Sequence, residues 1–249
     1  MIDPSAPRPL WAVLTVDPLA TPLARWLLPR RWATPNRITL LALACALGAS
    51  ACFATGHLRV GGALFLARYF ADCLDGMLAR ARGTSSPGGA LLDIACDVTG
   101  VHLTAAALGW WSVRNGHLDS GWALALLAAI GTYNWALAHR KHLANLAGVG
   151  EGGSTHTWPD VPLLGRWTRF AARRRMMAFP WVLEVEIAVL GLVPLLAPAV
   201  APQALAAAAV AYAGFTAVNL WRCARVVNRS VSQERPSAPD QPPRPGGTP

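Results

Sequence analysis

The residues of this chain best suited to chemistry are four aspartates within one 26-residue stretch: Asp72, Asp75, Asp93 and Asp97. They stand in apolar surroundings, where a carboxylate costs about 2.5–3.5 kcal/mol near a bilayer centre. Such a concentration of negative charge needs cations, protons or hydrogen bonds to compensate it. On helices, Asp72 and Asp75 are i, i+3 and Asp93 and Asp97 are i, i+4, so each pair shares a face. Oxygen ligands of this kind select hard divalent ions such as magnesium, manganese or calcium. Gly76 lies in one i, i+4 row with Asp72 and Arg80, and Gly89 lies in another with Asp93 and Asp97. Glycine there lets a ligand approach the backbone, and Arg80 offers a fork of donors to phosphate oxygens. The chemistry implied is metal-assisted displacement at phosphorus, with two divalent ions clamping a diphosphate. One carboxylate would accept the proton of an incoming hydroxyl.

The elements that must hold these groups are apolar helices. The chain has 249 residues, 53% hydrophobic and 14% charged, with mean hydropathy +0.34. Soluble domains carry about 25% charged residues. The expected fold is all-α: a polytopic membrane protein with six transmembrane helices and an N-terminal interfacial helix. The spans are read at residues 38–56, 60–80, 89–113, 121–138, 179–200 and 204–221, each near the ~20 residues a bilayer requires. Residues 18–33 mix Leu and Trp with Arg25, Arg30 and Arg31, which suits a helix lying in the interface. Thr34 caps and Pro35 opens the first span. A loop around residues 84–88 reverses the chain, making the two acid-bearing helices antiparallel neighbours. Pro-rich termini, 1–17 and 228–249, are expected to be disordered tails around a membrane domain at 18–227.

Net charge is +9, and its distribution argues for membrane topology rather than nucleic-acid binding. Of 22 Lys and Arg residues, Arg59 and Arg114 fall on one side of a six-span arrangement and Arg68 within a span. The other 19 share the opposite side, which the positive-inside rule makes cytoplasmic. The expected location is a bacterial cell membrane, with the acidic site facing the cytoplasm. The five cysteines form no CxxC pair and read as small apolar fillers.

The pattern Asp72-x2-Asp75-Gly76-x2-Ala79-Arg80, eight residues, then Gly89-x3-Asp93-x3-Asp97, resembles the signature of the CDP-alcohol phosphotransferases. Pro35, Asn36 and Thr39 at the opening of the first span are similar to a further element of that family. The resemblance implies transfer of a phosphate-bearing group from a CDP-alcohol, commonly CDP-diacylglycerol, to an acceptor alcohol with release of CMP. It implies that Asp72, Asp75, Asp93 and Asp97 hold two ions, Mg2+ or Mn2+, and that Asp97 is also the base. It implies that Gly76, Ala79, Arg80 and Gly89 line the CDP site, and that the protein is a homodimer among membrane lipids.

Around the signature, Arg68 either contacts an acceptor phosphate or pairs with a carboxylate. Arg173, Arg174 and Arg175 offer an anion pocket or a juxtamembrane anchor. Glu184 and Glu186 either take part in function or, more simply, pair with a neighbouring arginine. An intramembrane prenyltransferase would also hold magnesium diphosphate, but its Asp-rich motifs lie far apart in sequence. A divalent-cation transporter would leave Arg80 and the glycines without a role.

Overall fold

A computed structural model of the protein describes residues 9–146, 169–170, 173–174 and 181–233. The described residues are helical with short connections and contain no strand. A π-helical stretch (Ala12–Val16) leads into α1 (Asp17–Leu27). Then come α2 (Pro35–Ala54), α3 (Leu58–Arg82), α4 (Pro87–Arg114) and α5 (Ser120–Leu146). A short α6 (Val182–Glu186) runs through a second π-helical stretch (Ile187–Leu192) into α7 (Val193–Leu196). A 3-10 turn (Pro198–Val200) joins it to the long α8 (Ala201–Gln233).

Among the described residues, four segments are long and apolar enough to cross a membrane: Pro35–Ala54, Pro87–Arg114, Ser120–Arg140 and Pro198–Arg225. Large side chains such as Leu41, Leu91, Trp110, Leu124 and Val210 are exposed on their outer faces. Outward-facing residues of that kind belong to a membrane protein. Of the six expected spans, length and apolarity alone single out four among the described residues. The second expected span is α3, where Arg68, Asp72 and Asp75 interrupt the apolar run. The fifth is divided by the π-helical stretch and by Pro194 and Pro198, and its expected start at Phe179 lies outside the described residues.

Helix α2 is the spine. Thr34 caps it by accepting from the Arg37 N–H at 3.4 Å, and Pro35 fills the first turn. Ala42, Ala46, Ala49 and Phe53 form one buried row along it. That row packs α2 along both α3 and α4. The two acid-bearing helices come together around their acids, as expected, and otherwise touch only sparingly, while α2 packs along both. Gly61 leaves the space that the Phe53 ring occupies; a Cβ there would lie 2.4 Å from it. Helix α5 packs along α8, and the second π-helical stretch lies against α3. At that contact, a Cβ on Gly62 would fall 2.5 Å from the Gly191 carbonyl oxygen. Small residues permit this backbone approach between apolar helices, where van der Waals packing drives association.

Helix reaches into both regions expected as tails, over residues 10–17 and 228–233. Val16, Ala20 and Leu27 supply an apolar stripe that packs with Leu74 and Leu78 of α3. Glu184 holds the start of this segment, accepting from the Leu10 N–H at 2.8 Å through one oxygen and from the Trp181 N–H at 2.9 Å through the other. The tail expected over residues 1–17 is thus helical from Leu10 onward, and helix α8 runs to Gln233, past the expected boundary at 228. The expected Glu–Arg pairing is replaced here: Glu184 caps backbone N–H groups, and Glu186 accepts from the Tyr212 hydroxyl.

Candidate active site

The C-terminal half of α3 and the N-terminal half of α4 meet around their acids. Helix α3 ends at Gly83, whose φ of +64° closes the helix in the left-handed region, where a side chain is strained. Helix α4 starts at Ser86, whose hydroxyl accepts from the Gly89 N–H at 3.1 Å, with Pro87 next. This tight reversal returns the chain so that Asp93 and Asp97 reach Asp72. One carboxylate oxygen from each of Asp72, Asp93 and Asp97 lies within 4.8 Å of the others. Asp93 Oδ1 is buried and has no hydrogen-bond partner. A buried, unpartnered carboxylate oxygen among two further carboxylates is what a hard cation would complete. The donor set therefore fits a divalent ion.

Asp75 is also buried, at 4% exposure, and accepts from the Thr39 hydroxyl on α2. It stands outside the three-oxygen cluster, against the opening turns of α2. Arg68 is brought to the site from one turn before Asp72. Its Nη2 donates to Asp97 Oδ1 at 2.7 Å. Of the alternatives left open for Arg68, the structure realises the ion pair.

The remaining signature residues gather at the rim. Gly76 faces Arg80: a Cβ on Gly76 would lie 3.1 Å from Arg80 Nη1, so the exposed guanidinium folds over it. Gly89 faces Ser86 and Asn36, the latter at 3.6 Å from a Cβ built there. The opening of α2 thus borders the opening of α4, and Ala79 is half-buried on α3. Arg173 and Arg174 are exposed, with Arg174 over the Phe170 ring at 5.7 Å. Arg175 lies outside the described residues, as does most of the connection after α5.

Arg82 was missed by the sequence reading. Its guanidinium donates to the carbonyls of Leu27 (2.9 Å), Leu28 (3.0 Å), Arg30 (2.8 Å) and Ala33 (2.5 Å). These carbonyls lie at the end of α1 and in the turn that follows it. The available signal was a basic residue in the last turn before a glycine, a common way to close a helix. That signal speaks of Arg82's own helix, and the carbonyls it binds lie at the end of α1 and in the turn after it.

The sequence and the fold agree with known proteins. The CDP-alcohol phosphatidyltransferase family model matches residues 32–213, and the chain belongs to that family. A phosphatidylinositol phosphate synthase of Mycolicibacterium smegmatis is 30% identical over 174 residues, 69% of this chain and 77% of the relative. One from Mycobacteroides abscessus is 41% identical over 100 residues, 39% of this chain but only 44% of the relative. Among solved structures, the Mycobacterium tuberculosis phosphatidylinositol phosphate synthase with CDP-DAG bound superposes with a TM-score of 0.59. That match has 22% identity and covers 83% of this chain and 94% of the other. The same enzyme in complex with manganese and citrate gives a TM-score of 0.55 at 23% identity, covering 92% and 96%. The family expected from the signature is therefore the family found.

Proposed function

We propose that the protein transfers the phosphatidyl group of CDP-diacylglycerol to the hydroxyl of a phosphorylated alcohol of the inositol phosphate class, releasing CMP. The observation that carries this reading is the convergence of Asp72, Asp93 and Asp97 with one buried carboxylate oxygen unpartnered. Asp72, Asp75, Asp93 and Asp97 would hold two divalent ions, Mg2+ or Mn2+. Bound there, such ions supply charge neutralisation for the diphosphate and for the departing CMP. The chain's own residues do the rest. Gly76, Ala79 and Gly89 leave room for the nucleotide, and Arg80 donates to its phosphates. Asp97 takes the proton of the acceptor hydroxyl. The hydroxyl oxygen forms the new bond to the lipid phosphorus, the phosphorus–oxygen bond to CMP breaks, and CMP leaves with the electron pair. The acceptor class follows from the relatives' names and from the basic residues near α5 and residues 173–175.

The same reading takes residues 18–227 as one membrane unit with six crossings, α3 and the broken α6–α7 segment included. The sharing of 19 basic residues on one side supports that count and a cytoplasmic site. The exposed Leu19, Trp26 and Trp32 opposite the buried stripe of α1 suit a helix lying in the interface. A homodimer in the lipid bilayer completes the reading.

The test is CMP release by the purified full-length chain in lipid nanodiscs, with CDP-diacylglycerol and Mg2+ or Mn2+. Inositol phosphate, glycerol 3-phosphate, serine and phosphatidylglycerol are compared as acceptors, with Asp97→Asn as control. Turnover with inositol phosphate that vanishes in the control is expected. Release confined to an uncharged or zwitterionic alcohol removes the acceptor assignment, and cation flux without CMP release removes the enzyme assignment.

A further inference from the structure

Arg68 is 4% exposed in a helix whose neighbours are apolar. Its Nη2 grips Asp97 twice, donating to Oδ1 at 2.7 Å and to the main-chain carbonyl at 3.4 Å. The rest of the side chain is fixed as well. Its Cζ lies 5.3 Å from the centroid of the Phe65 ring. Gly100 provides the space beside Nε, since a Cβ there would lie 3.2 Å from that nitrogen. The two partners differ in access: the Arg68 side chain is 5% exposed and that of Asp97 is 40% exposed. The guanidinium is therefore covered while the carboxylate stays open. A covered cation of this kind acts through its carboxylate rather than on an incoming anion.

We propose that Arg68 is a positioning residue for Asp97, occupying Oδ1 and leaving Oδ2 as the one Asp97 oxygen that serves a divalent ion or the acceptor's proton. The inference rests on the metal-dependent reading above and adds a built-in cation to it. Two effects follow, of opposite sign. A fixed positive charge in contact with the cluster weakens its hold on divalent ions, because affinity at such sites follows ligand charge. A carboxylate locked by a second contact keeps the orientation that proton transfer needs. Arg68 therefore trades metal affinity for a correctly aimed base.

The full-length protein in nanodiscs is titrated with Mn2+ by electron paramagnetic resonance, and kcat and KM are measured with CDP-diacylglycerol. Arg68→Met should bind Mn2+ about tenfold more tightly. Its kcat should fall about tenfold or more, with KM for CDP-diacylglycerol within about twofold of the parent. Arg68→Lys keeps the charge and should return the Mn2+ affinity to near the parent value and recover part of kcat. Arg68→Gln serves if Arg68→Met does not fold; being neutral, it too must tighten Mn2+ binding. A purely structural arginine would instead lose Mn2+ affinity and kcat together, and that result overturns the proposal. Unchanged Mn2+ affinity in both neutral variants also overturns it while leaving the reaction assignment intact. If the parent protein binds no Mn2+, the reaction assignment fails and the Arg68 proposal fails with it.

Discussion

Thr39 on α2 donates its hydroxyl to the buried carboxylate of Asp75 on α3, 36 residues later. The bond ties the spine helix to the acid that stands outside the three-oxygen cluster. Thr39→Val keeps the shape and removes the donor, leaving Asp75 buried with one fewer partner. A lost partner of that kind costs about 1–3 kcal/mol. Thermal unfolding should show Thr39→Val below the parent and Thr39→Ser close to it. Equal midpoints for all three would mean that the hydroxyl anchors nothing.

Divalent ions should stabilise the folded protein, since the acids converge only when α3 and α4 are assembled. At a hundredfold excess over its dissociation constant, a bound ion adds about 2.7 kcal/mol. The unfolding midpoint should therefore climb with Mn2+ concentration. Asp93→Asn removes the charge whose Oδ1 is unpartnered and should flatten that climb while folding normally without metal. A climb of the same size in Asp93→Asn would place the ion elsewhere.

Arg82 tethers the end of α1 and the residues up to Ala33 through four carbonyls. Arg82→Ala should cost about 1–3 kcal/mol and speed hydrogen exchange over residues 28–37. Arg82→Lys should recover little, because one ammonium cannot span the carbonyls that a planar fork reaches. Full recovery by lysine would reduce the tether to a charge effect.

Glu184 satisfies two backbone N–H groups, those of Leu10 and Trp181, with its two oxygens. Glu184→Gln retains one acceptor oxygen and Glu184→Ala neither. Stability should fall in the order parent, Gln, Ala, with about 1 kcal/mol per lost bond. Hydrogen exchange should rise first in residues 9–16, and protection unchanged there in Glu184→Ala would argue against the tie.

Gly62 abuts backbone on the facing segment, with the Gly191 oxygen at 2.5 Å and the Leu195 nitrogen at 2.9 Å from a Cβ built on it. Neither atom moves without its helix, so Gly62→Ala should cost about 3 kcal/mol, as overpacking does. Gly48→Ala is the contrast, since its Cβ meets only the Leu64 Cδ1 methyl at 3.3 Å. It should stay within about 1 kcal/mol of the parent. Similar losses in both would mean that helix propensity, not the close approach, decides.

Much of the site was legible in the residues themselves. Helical spacing placed each aspartate pair on one face, and the Thr34–Pro35 start and the turn at 84–88 stand where residue chemistry put them. What escaped is long-range. In membrane helices nearly every face is apolar, so periodicity cannot say which face meets which neighbour. Hence α2 packing along both α3 and α4, and Asp75 reaching Thr39, were not foreseen. The helix through residues 10–17 escaped because Pro-rich composition argued for disorder, while Glu184, far along the chain, supplies its anchoring acceptor. Arg82 escaped for a similar reason: its partners are main-chain atoms, which leave no mark on the residue types at 27–33.

That last feature reaches beyond stability. A tether made solely to main-chain oxygens does not depend on which side chains the tethered segment carries. The exposed residues of this stretch, Leu28, Pro29, Arg31 and Trp32, are therefore free to exchange their side chains while the path of the backbone stays the same. The segment behaves as an interchangeable outer surface mounted on a fixed bracket.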